Sequence, residues 1–180
     1  MMRKIVLSQF LTLDGAMESP EKWNSTFLSD AEVVHEILAD FAACDLFLFG
    51  KTTYDFFAAR WPLRTGPMAD CLNMLPKLLI SSSPDTPTWN NTTILRANAM
   101  DEIKKLKEQP GKNIIALGSY KLVQTLITEG MVDEYKLYIY PLTLGKGKRL
   151  FEQDAVEQRL KLISAKPFAS GVIAATYQYQ

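Results

Sequence analysis

Three short stretches set glycine, hydroxyl and backbone donors directly after apolar runs. Leu46-Phe47-Leu48-Phe49 stops at Gly50-Lys51-Thr52-Thr53-Tyr54, Leu78-Leu79-Ile80 at Ser81-Ser82-Ser83, and Ile114 to Leu117 at Gly118-Ser119-Tyr120. If each run is a buried strand and each corner opens a helix, the corner exposes unsatisfied N–H groups and partial positive charge, which suits phosphate. Glycine lets a ligand approach the backbone, the hydroxyls add donors, and Lys51 adds a full positive charge. Taken singly, each corner has an ordinary alternative: the glycine as a turn, Thr52 or Ser119 as a helix cap. Two such corners on neighbouring strands can grip the two halves of a dinucleotide. No Gly-x-Gly-x-x-Gly opens a helix, and no Walker-type phosphate loop is present. Gly145-Lys146-Gly147-Lys148 follows Pro141, precedes no strand–helix unit and reads as a surface loop.

Chemistry on a bound ligand also calls for an acid and a group that covers it. Asp14, in the Asp14-Gly15 turn, is the candidate to supply a proton; its alternative is a turn aspartate ahead of glycine. Trp23, in the following loop, is the candidate to cover a flat ring by stacking, or else a core or surface aromatic. Glu18 and Asp30 are the other acids of this region. Tyr54, Phe57 and Trp61 share one helical face and read as core. His35 is the chain's one histidine, which leaves zinc short of ligands and removes any triad needing a second imidazole.

These residues need a frame that brings strand ends together. Ile5 to Phe10 reads as a buried strand and Glu18 to Thr26 as loop. Ser29 is expected to open a helix through a capping box with Glu32, with Val33, Val34, Ile37, Leu38 and Phe41 as its apolar stripe. Thr52 or Thr53 is expected to cap a short helix through Arg60, and Pro67 to Leu75 reads as another. Strands are expected at Lys77 to Ser81, Thr92 to Leu95, Asn113 to Leu117 and Val132 to Tyr140. Helices fall around Met100 to Leu106 and Leu122 to Ile127, the second stopped by Gly130. The C-terminal stretch reads as a hairpin turning near Ser170-Gly171, with Ile173, Ala175, Tyr177 and Tyr179 on one face. The alternation implies one α/β domain over residues 1–180: a mixed, mainly parallel sheet with helices on both faces and an antiparallel C-terminal hairpin. In such sheets ligands sit at the carboxyl ends of the strands.

Composition narrows the classes. Lys plus Arg and Asp plus Glu each number 20, so the field that a nucleic-acid partner needs is missing. A chain 47% hydrophobic and 22% charged is globular in composition. No run approaches ~18 apolar residues, so no membrane span is expected. Ser8, Gln9, Thr12 and Asp14 break the N-terminal apolar run before a signal-peptide core can form. A cytoplasmic location is expected, with Cys44 and Cys71 as small buried thiols.

The blocks Thr12-Leu13-Asp14-Gly15, Gly50-Lys51-Thr52-Thr53-Tyr54, Lys77 to Ser81 and Ile114 to Phe151 together resemble the dihydrofolate-reductase-like superfamily. Within the last lie Gly118-Ser119, Val132-Asp133-Glu134-Tyr135, Pro141 and Leu144 to Phe151. The closest resemblance is to the reductase domain of bacterial bifunctional riboflavin-biosynthesis deaminase-reductases and its stand-alone relatives. It implies an NADPH-dependent reductase acting on a small planar heterocycle such as a pterin or pyrimidine, and a homodimer as in many relatives, with the apolar run Tyr135 to Leu142 in the contact. By the resemblance, Gly50, Lys51, Thr52 and Thr53 contact the cofactor's phosphates and adenosine ribose, and Lys51 favours the 2′-phosphate. Ser81 and Ser82 sit by the adenosine, and Gly118, Ser119 and Tyr120 present donors to the pyrophosphate. The nicotinamide is expected near Asp14. Where the riboflavin-pathway reductases carry a glutamate, this chain has Ala116. The rival reading is therefore a non-catalytic NADPH-binding or regulatory module on the same fold.

Overall fold

The runs Ile5-Val6-Leu7, Leu46 to Phe49 and Ile114-Ile115 are apolar on both strand faces, so they can be stable only in the middle of a sheet covered twice. The computed structural model, which describes residues 2–151 and 157–180, places them there. In chain order the strands are β1 (Ile5–Thr12), β2 (Cys44–Gly50), β3 (Lys77–Ile80), β4 (Thr92–Leu95), β5 (Asn113–Ala116), β6 (Glu134–Tyr140), β7 (Leu160–Pro167) and β8 (Ile173–Tyr179). The helices are α1 (Ala31–Ala42), α2 (Lys51–Ala58), α3 (Pro67–Met74), α4 (Ala99–Glu108) and α5 (Tyr120–Thr128).

All eight strands form one sheet in the order β4-β3-β2-β5-β1-β6-β8-β7. β1 to β6 are mutually parallel, while β8 runs antiparallel to β6 and β7 antiparallel to β8. Six carboxyl ends therefore share one edge. α4 and α5 bury Ile103, Val123 and Leu126 against Ile5, Leu7 and Leu48 on one face. α1, α2 and α3 bury Val33, Ile37, Phe41, Tyr54 and Leu72 against Phe47, Phe49 and Tyr138 on the other. Each such side chain, fully withdrawn from water, contributes about 1.5–3 kcal/mol. The expected class, a mainly parallel sheet with helices on both faces and a C-terminal hairpin, is the observed one.

Two helix starts differ from expectation. α1 is capped by Asp30, whose carboxylate accepts from the Glu32 N–H at 3.0 Å. Ser29 instead closes a preceding 3₁₀ turn by donating to the Thr26 carbonyl, so the expected capping box does not form. α2 begins at Lys51 with Gly50 as its cap; Thr52 and Thr53 already lie inside the helix. The stretch Glu18 to Thr26, expected as loop, includes a 3₁₀ turn at Pro20–Lys22.

β3 and β4 are parallel neighbours joined without a helix, and Trp89 takes over the covering role. Its ring stacks near Phe49 and its indole N–H donates to Asn73 Oδ1 at 2.7 Å. Lys77 is buried beneath, with its ammonium 4.4 Å from that ring and donating to the Asn73, Leu75 and Asn90 carbonyls. Burial pulls the Lys77 ammonium down from 10.5 to about 8. The unfolded chain thus holds this proton more tightly than the fold does, so the fold gains stability as pH rises from about 8 toward 10.5. The urea stability of the wild type relative to Lys77→Met should climb over that window. A flat difference would show that burial does not strain the ammonium.

Candidate functional site

β2 and β5 run in register to the pair Leu48–Ala116, and each then releases a glycine at the same height. Gly50 and Gly118 stand side by side there, and the two corners are bonded to each other. Ser119 Oγ accepts from the Thr53 N–H at 2.9 Å and donates to Thr53 Oγ1 at 3.2 Å. A Cβ on Gly50 would lie 2.9 Å from Ser119 Oγ, and one on Gly118, at φ +57, would strike Thr53 Oγ1. Glycine is needed so that the corners can meet, a role beyond admitting a ligand. Ser119, read from sequence as a cap of its own helix, caps the first turn of α2 instead.

α2 and α5 both start at this junction. First-turn N–H groups lack intrahelical acceptors and carry the positive end of the helix dipole, so two such ends converge at one point of the edge. Tyr120 opens α5, with the Lys148 ammonium 5.2 Å from its ring. Lys51 is ion-paired with Asp55 at 2.7 Å and lies 3.7 Å from Asp85. Those acids already meet its charge. Ser81 is half-buried and accepts from the Ser83 N–H at 3.1 Å, while Ser82 is exposed. Arg96, just past β4, donates to the Ser83, Pro84 and Asp85 carbonyls and so adds a second cation here. Sequence reasoning passed over it, although a basic residue directly after a strand was the available signal.

The β1 end is organised around Asp14. Its carboxylate accepts from the Thr12 hydroxyl at 2.6 Å, the Gly145 N–H at 2.8 Å and the Leu144 N–H at 3.2 Å. The Thr12 hydroxyl first, then the Gly145 N–H, hold it down at about 2. Asp14 is therefore an ionised anchor for the loop after β6, and a poor source of a proton near neutral pH. The Gly145 loop is exposed, as expected of a surface loop, and it is tethered: the Met17 N–H donates to the Lys148 carbonyl, and Ala16 bridges to Arg149. Trp23 lies half-buried with its indole N–H on the Glu18 carbonyl and its ring edge-to-face with Tyr140 at 5.3 Å, in a cluster with Phe27 and Phe10.

Gln9 is the residue that reading along the chain did not flag. It lies on β1 two positions beyond Leu7, the last β1 residue laddered to β5 (with Ala116), and so toward the edge of the sheet where the strands end. It is buried, and its Nε2 has no partner among the described residues. Between α1 and α3 an open cleft of about 410 Å³ is lined by Val34, His35, Leu38, Trp61, Arg64 and Met68 among others. Arg64 stands 5.2 Å over the Trp61 ring. The described residues include no cluster of metal ligands and no helix long and apolar enough to cross a membrane. Both cysteines are free, Cys44 buried and Cys71 half-buried.

The profile of the RibD C-terminal domain matches residues 3–174, nearly the whole chain. The chain belongs to the RibD C-terminal domain family. The YyaP protein of Bacillus subtilis (strain 168) is 31% identical over 184 residues, covering 98% of this chain and 95% of that protein. Among solved structures, a riboflavin biosynthesis protein from Shewanella sp. PV-4 aligns with TM-score 0.70 at 17% identity, over 98% of this chain and 99% of its own. The diaminohydroxyphosphoribosylaminopyrimidine deaminase/5-amino-6-(5-phosphoribosylamino)uracil reductase of Thermotoga maritima aligns with TM-score 0.70 at 11% identity, over 99% of this chain and 57% of its own. At those identities the two structures establish the shared fold.

Two substitutions test the geometry. Gly118→Ala should cost at least about 1–2 kcal/mol from the left-handed backbone alone, read as a lower urea midpoint; wild-type stability would mean that the corners do not meet as described. In Asp14→Asn, amide exchange should quicken at Leu144 and Gly145 while the β1 core stays protected. The carboxylate's hold is in force above about pH 4 and is lost as pH falls through about 2, so the wild-type loop should open only on strong acidification.

Proposed function

We propose that the chain is an NADPH-dependent reductase that passes a hydride to a small planar heterocycle of the aminopyrimidine or pterin type. The observation that carries this is the bonded junction of Gly50 to Thr53 with Gly118 to Tyr120, where two helix amino termini converge on one point of the sheet edge. Such a point suits a pyrophosphate. Gln9 supports the same ligand: a buried side-chain amide without an acceptor costs about 1–3 kcal/mol, and a carboxamide oxygen would relieve it. Lys51 and Arg96, with Ser81 and Ser82, make the hydroxyl-bearing corner assigned to the adenosine end, where a 2′-phosphate would replace Asp55 and Asp85 as the partner of the Lys51 ammonium. NADPH supplies the hydride, and the chain binds, orients and shields.

We assign the substrate to the α1–α3 cleft, which offers apolar walls and the Arg64 guanidinium. That combination accepts a flat ring bearing an anionic group, as the phosphoribosylaminouracil named for the Thermotoga protein does. Asp14 serves by fixing the Gly145 loop, and Trp23 by closing the aromatic wall with Tyr140. One observation favours the second reading, binding without turnover: Asp14 is held ionised, so the proton must come from elsewhere.

NADPH should raise the melting temperature more than NADH does, and Lys51→Glu should narrow that gap. Gln9→Leu should melt higher than wild type without cofactor, because the unpaired amide is gone, yet bind NADPH about tenfold more weakly. Wild-type affinity in Gln9→Leu would remove Gln9 from the site. Loss of NADPH absorbance with any member of a panel of aminopyrimidines, pterins and flavins would decide for the reductase; binding without consumption across the panel would decide for the module.

A further inference from the structure

The segment after β6 folds back along the turn after β1 and is bonded to it repeatedly. The Leu13 N–H donates to the Leu142 carbonyl at 2.8 Å, the Met17 N–H to the Lys148 carbonyl at 2.8 Å, and the Leu150 N–H to the Gly15 carbonyl at 3.2 Å. With the bonds from Leu144 and Gly145 to Asp14, the backbone is held on both sides of Lys148. From there its side chain reaches the start of α5, where the ammonium stands 5.2 Å from the ring of Tyr120, the first residue of that helix. Arg149, Lys51 and Arg96 are committed elsewhere. Arg149 donates to the Asp14 carbonyl and lies 3.7 Å from its carboxylate. Lys51 donates to both Asp55 oxygens at 2.7 and 2.8 Å, and Arg96 spans three carbonyls. Lys148 meets Glu18 only at 3.6 Å, with both side chains about half exposed. A pair so open to solvent is worth no more than about fivefold in an equilibrium, so this ammonium can change partner at little cost.

We infer that Lys148 is a further cofactor-binding residue, which takes the pyrophosphate of the dinucleotide from the α5 side in exchange for Glu18. The inference rests on the NADPH reading above and adds a full charge to a junction otherwise built of backbone N–H groups. A pyrophosphate carries two negative charges against one on Glu18, and the two helix starts hold it from the other side, so the exchange runs toward the cofactor. Because the loop backbone is already fixed, binding has little to order beyond the lysine side chain. Glu18 then acts as an antagonist, its carboxylate competing with the ligand for the ammonium. The two lysines divide the cofactor: Lys51 serves the 2′-phosphate that NADPH alone carries, and Lys148 the pyrophosphate that NADPH and NADH share.

Titration of the full chain with NADPH and with NADH, followed by intrinsic fluorescence, tests it. Lys148→Gln should weaken both nucleotides by the same factor, about tenfold, and Lys148→Arg should restore most of the loss. Glu18→Gln should tighten both by about two- to fivefold, and should do nothing once Lys148→Gln is in place. A lysine that merely held the loop through Glu18 would show the opposite, with either substitution weakening binding. Lys146→Gln, at an exposed cation two residues away, should stay within about twofold of wild type. Wild-type affinities in Lys148→Gln would overturn the inference and leave the NADPH reading standing. So would a loss confined to NADPH, or a Glu18→Gln variant that binds both nucleotides more weakly. A wild type that binds neither nucleotide would overturn the NADPH reading itself, and this inference with it.

Discussion

The meeting of Gly50 with Gly118 constrains everything else at this edge. β2 and β5 can stay in parallel register up to their last residues only if both chains then turn through the same small space. No Cβ fits at either turn, and a single hydroxyl, Ser119 Oγ, ties them together. The tie joins two segments 66 residues apart in the chain. It fixes the start of α2 relative to α5, and with it the direction in which both sets of first-turn N–H groups point. The convergence of these donors is a consequence of packing: the glycines let two helices begin at one spot.

Sequence periodicity showed the frame well, because the central strands are apolar on both faces and the helices carry clear stripes. It was weaker on what individual polar residues do. The capping box at Ser29 and Glu32 was plausible locally, yet Asp30, one position on, has the extended backbone and the acceptor that the cap needs. Thr53 lies inside its helix, and its N–H is satisfied by Ser119 from the corner between β5 and α5, a relation no local pattern contains. Asp14 carried two local meanings, acid or turn residue, and tertiary structure supplied a third. The loop it anchors comes from residues 144 and 145, far beyond any window read along the chain. Gln9 was invisible for a similar reason. An orphaned amide is a property of its surroundings, and in the sequence Gln9 only interrupts an apolar strand.

The two ends of the sheet thus do different work. At the glycine junction, polarity is concentrated where backbone donors converge, and the apolar cores lie behind it. At the β7 end the polar groups are turned inward onto α1, where Glu36 and Asp40 meet Lys136 and Lys166, and the apolar groups are turned out. Ion pairs at this depth stabilise little, because desolvation offsets most of their attraction. α1 takes this face by burying Val33, Ile37 and Phe41 against Phe47 and Tyr138, and the ion pairs form at the border of that contact.

A crystal structure of the chain with NADPH tests the central claim most directly. The pyrophosphate is predicted to lie within hydrogen-bond distance of first-turn N–H groups from both α2 and α5, with the carboxamide reaching Gln9. A cofactor seated anywhere that leaves the Gly50–Gly118 junction untouched would contradict the account.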